Sequence, residues 1–345
     1  MRLGRAKIPA WFFVSILFLF LNLFLRLEIV EAQQSAPSAS KQEQSSGPAS
    51  IIKPPWNDED WDSLSLDTST LRPEAPVIGA KDQTDDFTRE LIQVHWRFGD
   101  PIDLWVIKPR GVEKPPVVLY LYGYPSETDR FRDDRYCQRV TRGGFAAVGF
   151  VSALTGQRYH DIPMRQWFVS ELAQALVESA HDVQMIINYL STRGDMDMER
   201  VGMFGQGSGG TIAILAAAVD PRIKALNLID PWGDWPDWTA TSARIPEVER
   251  PTYMKPEFLK QVAPFDPIQW LPKLNSRPVR VWSVMDDPIT PEICKKKIEA
   301  AAVSASAQIV RFDDVHAMRA ASSDGNAFQW LKEQLGATRE ERAAN

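Results

Sequence analysis

The sequence predicts an α/β fold in which a mostly parallel central sheet carries helices on both of its faces. Three apolar runs, residues 116–122, 145–151 and 223–229, are typical of strands that are buried on both sides. Helical stretches separate these runs, and the clearest is residues 171–190, where apolar residues recur at helical spacing. Because crossovers through helices connect parallel strands, this alternation indicates a doubly covered parallel sheet.

Composition and charge exclude several classes of partner. The 345-residue chain has a formal net charge of -6, so we expect no broad basic surface and no nucleic-acid partner. It holds four histidines and two cysteines, without the CxxC or HExxH spacing of metal sites. We therefore expect no metal and no cofactor. We also expect Cys137 and Cys294 to remain unpaired.

The N-terminus has the pattern of a targeting segment. Three basic residues precede the apolar run 8–25, and Val30 and Ala32 then supply the small residues that a signal peptidase reads. Residues 1–32 are therefore predicted to be a signal peptide of an exported protein, periplasmic or extracellular. The alternative is an uncleaved anchor that attaches the protein to the membrane through residues 8–25.

Residues 33–85 are predicted to be a flexible, low-complexity and polar leader, because they offer little apolar surface for burial. Within it, apolar residues at positions 56, 61, 64, 66 and 71 either pack on the domain or belong to a disordered segment. The folded domain is predicted over residues 86–338, and residues 339–345 form a polar tail.

The remaining elements follow in chain order. Residues 91–98 and 102–108 indicate an antiparallel hairpin, residues 136–142 a helix, and residues 152–167 a surface loop that contains His160. Residues 230–274 give few strand signals and are predicted to be a loop-rich cap insertion over the strand ends, where ligands bind in this architecture. Its tryptophans Trp232, Trp235 and Trp238 either line a pocket or pin the loop to the domain. Further strands are predicted at residues 278–284 and 308–312, and helices at residues 291–302 and 326–335.

The segment 200–210, RVGMFGQGSGG, has the order of a nucleophile elbow: a short buried strand, a sharp turn and a helix of small residues. Gly205 and Gly209 supply the small residues that must flank the strained position, which then falls on Gly207. In the alternative register Ser208 is the nucleophile, and Gln206 occupies the crowded flank. The first register matches the frame better, and glycine accepts the strained angles without cost.

Two further residues complete the order of a catalytic triad. Asp287 follows the strand 278–284, and His316 lies in the predicted loop after the last strand. The chain order is therefore elbow, acid, histidine, which is the order of an α/β-hydrolase triad.

These motifs, together with the segments 182–210, 220–226, 278–292 and 313–318, resemble the α/β-hydrolase superfamily. The resemblance covers residues 90–337 and is strongest to the branch of prolyl-oligopeptidase-type peptidases, dienelactone hydrolases and acetyl xylan esterases. It implies that Asp287 is the triad acid, that His316 is the base, and that the backbone N–H groups of Tyr124 and Ser208 form an oxyanion hole. The chain departs from the family pattern at Gly207, where a serine is expected.

The departure at Gly207 separates three functional hypotheses. The first is an exported protein of the esterase or peptidase type with impaired or lost catalysis, because no acyl-enzyme forms without a nucleophile oxygen. The second is an active carboxylesterase or peptidase that uses Ser208, Asp287 and His316. The third is a weak hydrolase in which Asp287 and His316 activate water. The expected ligand is a small ester, acyl compound or peptide, and the first hypothesis predicts that Gly207→Ser raises esterase activity.

Overall fold

The computed structural model describes residues 59–67, 69–97, 100–154, 168–274, 277–323 and 326–336. The predicted signal peptide or anchor, most of the leader, His160 and the tail 339–345 lie outside the described residues. Among the described residues, no helix is both long and apolar enough to cross a bilayer.

The described part of the chain contains a nine-stranded sheet in the order β1-β2-β3-β5-β4-β6-β7-β8-β9. Strands β1 to β3 and the pairing of β3 with β5 are antiparallel, and the remaining pairs are parallel. This confirms the predicted α/β class with its mostly parallel sheet. The strands are β1 Val77–Gln83, β2 Phe87–Val94, β3 Ile102–Pro109, β4 Pro116–Leu121, β5 Ala146–Phe150, β6 Asp197–Gln206, β7 Ile223–Ile229, β8 Val279–Val284 and β9 Gln308–Phe312.

Ten α-helices occur among the described residues. They are α1 Asp134–Thr141, α2 Leu172–Arg193, α3 Ser208–Val219, α4 Trp235–Thr241, α5 Arg250–Tyr253, α6 Pro256–Val262, α7 Pro267–Trp270, α8 Glu292–Ser304, α9 Val315–Ser323 and α10 Asn326–Gly336. Short 3-10 turns include Asp129–Arg132.

Two segments that were predicted to be loops contain helices. The cap insertion contains four short helices, α4 to α7, and His316 lies in α9 rather than in a loop.

Alternate residues of the central strands enter two different cores, which is why helices cover both sheet faces. In β4, Val117 and Leu119 pack into a core that includes residues of α2 and α3. Val118 and Tyr120 point the other way, into a core that includes residues of α1 and α10. The continuous apolar run of β4 thus serves both layers, as its sequence predicted.

The folded domain begins before the predicted boundary at residue 86. Strand β1 pairs with β2 as an exposed antiparallel edge. Upstream of it, residues 59–71, here called the N-terminal strap, place Leu64 and Leu71 in the main core. Trp61 and Leu66 pack against the same core, so the described apolar residues of the strap lie on the domain, whereas Trp56 and residue 68 lie outside the described residues.

A buried ion-pair cluster fixes the N-terminal strap to the domain. The Arg97 guanidinium donates to both carboxylate oxygens of Glu59, at 2.5 and 2.7 Å, and to Oδ1 of Asp182 in α2 at 2.5 Å. His181 lies beside it, with Nδ1 2.9 Å from Glu59 Oε1 and Nε2 2.8 Å from the Ser63 carbonyl oxygen. His181 is thus a buried structural residue that links the strap to α2.

Candidate active site

The turn between β6 and α3 has the geometry of a nucleophile elbow, and its strained residue is Gly207. Gly207 has φ +56° and ψ -123° and directly precedes the first residue of α3. L-residues rarely adopt positive φ, whereas glycine does so readily. The chain therefore places a residue without a side chain at the point where an elbow would present its nucleophile.

Gly205 and Gly209 lie where the turn is most crowded. A Cβ atom on Gly205 would come within 2.6 Å of Gly210 Cα and 2.7 Å of the Gly209 carbonyl oxygen. A Cβ on Gly209 would meet the carbonyl oxygen of Leu121, at the end of β4, at 2.2 Å. No side chain fits at either position without a backbone shift. Because neither residue has a side chain, α3 can approach the sheet closely.

Ser208 lies inside the domain and contacts a backbone donor. It is the first residue of α3, has no exposed surface, and its Oγ accepts a hydrogen bond of 2.9 Å from the Tyr124 backbone N–H. That N–H is one of the two oxyanion donors implied by the resemblance. The Ser208 hydroxyl therefore occupies the oxyanion side of the elbow rather than the nucleophile position, and its predicted nucleophilic role is not supported by this geometry.

The indole of Trp232 fills the space beside the elbow. A Cβ placed on Gly207 would lie 3.1 Å from Trp232 Nε1, closer than most real contacts of this type. The loop that carries Trp232 is fastened to α3, because Thr211 Oγ1 donates to the Trp232 carbonyl oxygen at 2.7 Å. All three tryptophans are buried in the main core, and Trp232 also lines the pocket described below. The cluster thus fastens the loop to the domain, and Trp232 in addition contributes to a pocket.

Asp287 and His316 are not joined by a hydrogen bond. The Asp287 carboxylate accepts from the backbone N–H groups of Ile289 at 3.0 Å and Thr290 at 3.3 Å, within its own turn after β8. His316 is exposed on the first turn of α9. Within the described part of the chain its ring has no hydrogen-bond partner, and Val315 and Met318 line the pocket in its place. The triad roles of Asp287 and His316 stay predictions.

The loops after β4, β6, β7 and β8 enclose a cavity of about 470 Å³ at the carboxyl edge of the sheet. Gly207 and Asp287 line it, as do Tyr124 and Arg244. The Arg244 guanidinium lies 5.8 Å from the ring centre of Tyr124 and 5.9 Å from that of Trp232. Its buried Nε has no hydrogen-bond partner among the described residues. The cavity thus combines an aromatic wall with a cation that is available to a ligand.

Asp230 is a site residue that the sequence did not reveal. It follows β7 directly, lines the cavity, and its Oδ1 accepts from the Val284 N–H at 3.0 Å. Burial raises the pKa of this carboxyl to about 7. The only sequence signal was its place at the carboxyl end of a parallel strand, which it shares with many structural residues. Arg244 lay in the predicted cap and carried no signal of its own.

No group of three or more candidate metal ligands is found among the described residues. His95 lies in the segment after β2, where its Nε2 is 3.3 Å from Gln93 Oε1. Cys137 and Cys294 are both buried and free in the structure.

A sequence model of the dienelactone hydrolase family matches residues 102–249. No curated protein matches the chain. Among solved structures, acetyl xylan esterase 1 from Thermoanaerobacterium sp. JW/SL YS485 is similar at a TM-score of 0.57 and 17% identity, over 77% of this chain and 89% of that one. The acetyl xylan esterase from Paenibacillus sp. R4 gives a TM-score of 0.55 and 15% identity, over 77% and 92% of the two chains.

The similarity extends to a peptidase. The Pyrococcus horikoshii acylaminoacyl peptidase gives a TM-score of 0.52 and 14% identity, over 77% of this chain and 49% of that one. Identities this low establish the shared fold and not a shared reaction.

Proposed function

We propose that this chain, a member of the α/β-hydrolase superfamily in the branch that includes the dienelactone hydrolases and acetyl xylan esterases, binds a small ester, acyl compound or peptide without cleaving it. The observation that carries the proposal is Gly207, which has the elbow's backbone angles and no nucleophile. Serine catalysis needs an oxygen at this position to form the acyl-enzyme.

Three features around the elbow support the loss of catalysis. The Ser208 hydroxyl is buried and accepts from the Tyr124 N–H, so it is not presented to the cavity as an attacking group. The Trp232 indole takes up the space beside Gly207. His316 is exposed and shares no hydrogen bond with Asp287, so no general base is held ready at the elbow.

The ligand class follows from the fold relatives and from the cavity. The names of the structural relatives describe esterases and a peptidase, whose substrates carry ester or amide carbonyl groups. The cavity of about 470 Å³ lies within the usual range of small-molecule sites. The Arg244 guanidinium and the N-terminal N–H groups of α3 would attract a carbonyl or carboxylate oxygen, while Trp232 and Tyr124 would contact its apolar part.

Export is part of the same proposal. The basic start, the apolar run 8–25 and the small residues before position 33 support secretion with cleavage after Ala32, or attachment to the membrane if cleavage fails. N-terminal sequencing of the protein recovered outside the cytoplasm distinguishes these forms. A mature chain that starts at Gln33 supports export, and an intact N-terminus in a soluble cytoplasmic fraction would contradict it.

The loss of catalysis is tested with a fluorophosphonate, which labels activated serine nucleophiles. The purified protein is treated with the probe, and any adduct is mapped by peptide mass spectrometry, with Ser208→Ala as the matched control. We expect no adduct at residue 208 in a protein that still melts cooperatively. An adduct that forms rapidly on Ser208 and is absent from the control would establish the second hypothesis, an active serine hydrolase.

A further inference from the structure

A second cavity, of about 610 Å³, lies beside the elbow pocket on the side of α1. Its floor is aromatic: Tyr122, Tyr136, Phe204 and Phe328 line it, and all four are buried within the domain. The ring centres of Phe204 and Phe328 lie 5.3 Å apart in an edge-to-face arrangement, which leaves a rigid apolar surface. The floor is therefore suited to a planar apolar group.

Arginines surround this floor. Arg130 comes from the 3-10 turn before α1, Arg135 and Arg139 from α1, and Arg319 from α9, and all of them line the cavity. Arg135 and Arg139 are four residues apart on one helix, so their charges are neighbours and repel each other. This concentration of positive charge occurs in a chain whose net charge is -6.

Three of the four arginines have no ion pair within the described part of the chain. No ion pair joins Arg130, Arg135 or Arg139 to another described residue, and Arg130 stacks on the Tyr122 ring at 3.9 Å. Asp133 is the one carboxylate among the described residues that line the cavity. Its Oδ1 caps α1 by accepting from the Tyr136 N–H at 2.7 Å. An anion that enters the cavity would therefore meet the guanidinium groups of Arg130, Arg135 and Arg139, none of which is held in an ion pair with another described residue.

We propose that this arginine-rimmed cavity is a binding site for an organic anion with a planar apolar body, such as an aromatic carboxylate or an aromatic phosphate monoester. The aromatic floor would hold the body, and the arginines would bind the anionic head through charge-assisted, bidentate hydrogen bonds. The proposal does not depend on the elbow, because the anion needs no contact with Gly207. Tyr122 and Arg130 also line the elbow pocket, so the two sites adjoin.

The proposal is tested by isothermal titration calorimetry, in which the full chain is titrated with 2-naphthoate and, separately, with 2-naphthyl phosphate. We expect saturable binding that weakens as salt is added, because the head group is held by charge. Arg139→Gln should raise the Kd about ten-fold or more, and Arg135→Gln with Arg139→Gln should raise it further. The ratio of the two affinities distinguishes a carboxylate ligand from a phosphate ligand.

The matched control is Arg142→Gln, which removes the same charge from an exposed residue at the end of α1 that does not line the cavity. It should leave the Kd within about two-fold, because its charge is largely screened by solvent. Three results would overturn the proposal: no binding of either anion at millimolar concentration, equal losses in Arg139→Gln and Arg142→Gln, or equally tight binding of the neutral 2-naphthyl methanol.

Discussion

Gly207 and Trp232 together determine what the elbow can present to a ligand. The strained backbone is retained at Gly207, while the adjacent indole Nε1 lies 3.1 Å from the position of a Cβ at residue 207. The sequence predicted that Gly207→Ser would raise esterase activity. The structure revises that expectation, because a serine there would meet Trp232 and would find no histidine held within hydrogen-bond reach. A single substitution is therefore not expected to restore catalysis.

The contact with Trp232 predicts an additional stability cost at position 207. Gly194 is the control, because it has φ +70° at the end of α2 and no atom within 4 Å of its Cβ position. Gly194→Ala should lower the free energy of unfolding by about 1 kcal/mol through backbone strain alone. Gly207→Ala should cost about 1 kcal/mol or more beyond that, measured by urea denaturation, because its ψ of -123° is less favourable for an L-residue than the ψ of 1° at Gly194 and because the indole contact adds to the strain.

A double-mutant cycle locates this extra cost. In a Trp232→Phe background, Gly207→Ala should cost less than in the native background, because the indole nitrogen is absent. Equal costs of Gly207→Ala and Gly194→Ala, with no coupling to Trp232, would show that the indole does not restrict the elbow.

The buried carboxyl group of Asp230 should make the free energy of unfolding depend on pH in a distinctive way. Burial raises the pKa of its carboxyl from 3.8 to about 7, so the folded state holds a proton that the unfolded state releases. Its contribution to the free energy of unfolding is full below the pKa of Asp230 in the unfolded state, and it is lost as pH rises through about 7. The shift of about 3 units sets an upper bound of about 4 kcal/mol on this loss.

Asp230→Asn should remove this part of the pH dependence, because an amide cannot ionise and its oxygen can still accept from Val284. Chemical denaturation from about pH 4 to about pH 8 should show a variant that gains stability relative to the native protein as pH rises. The control is Asp286→Asn, which alters an exposed carboxylate of the same cavity. Parallel pH profiles of the native protein and Asp230→Asn would disprove the assignment.

At the scale of elements, the carboxylate of Glu59 joins the N-terminal strap to both Arg97 and His181. Burial of Glu59 opposes its ionisation, but hydrogen bonds from His181 and Arg97 outweigh burial and hold its pKa below the ordinary value. Because the folded-state pKa is lowered, this stabilisation is present above the unfolded pKa and is lost as pH falls towards the acid range.

Glu59→Gln should release the strap, since it removes one member of a buried ion pair and leaves Arg97 and His181 without their shared partner. The expected loss is about 3 kcal/mol or more, seen as faster hydrogen exchange across residues 59–71. Glu292→Gln is the matched control, because its ion pair with Lys296 lies on the exposed surface of α8. It should leave strap exchange unchanged, and equal exchange in both variants would mean that the cluster does not hold the strap.

The elements that were predictable from sequence are those with strong apolar patterns. Strand β7 and strand β9 match their predicted ranges, and α2 and α10 agree to within a few residues. Strand β1 was missed because all seven of its residues are exposed and polar residues interrupt it, so it shows neither a buried run nor alternation. The cap helices were missed because they are short and proline-rich, and tertiary packing determines them.

At the scale of the whole molecule, the sequence placed Gly207 and Asp287 at one edge of the sheet through the order of their strands alone. It could not place Trp232 against Gly207, because that contact depends on how the cap loop folds back onto α3. It also could not show that α9 begins at Val315, which turns His316 outward. Asp230 and the arginines around the second cavity come from separate elements, so only the tertiary structure brings them together.

An elbow without a nucleophile should not turn over esters, and the rate of ester hydrolysis shows whether this is so. Hydrolysis of p-nitrophenyl acetate is measured for the purified native protein, for Ser208→Ala and for His316→Ala, with cooperative melting as the check on folding. We expect all three proteins to show the same slow rate, close to that of the uncatalysed reaction. Saturable turnover by the native protein that either substitution reduces about 1000-fold would contradict it, and the chain would then be a serine hydrolase.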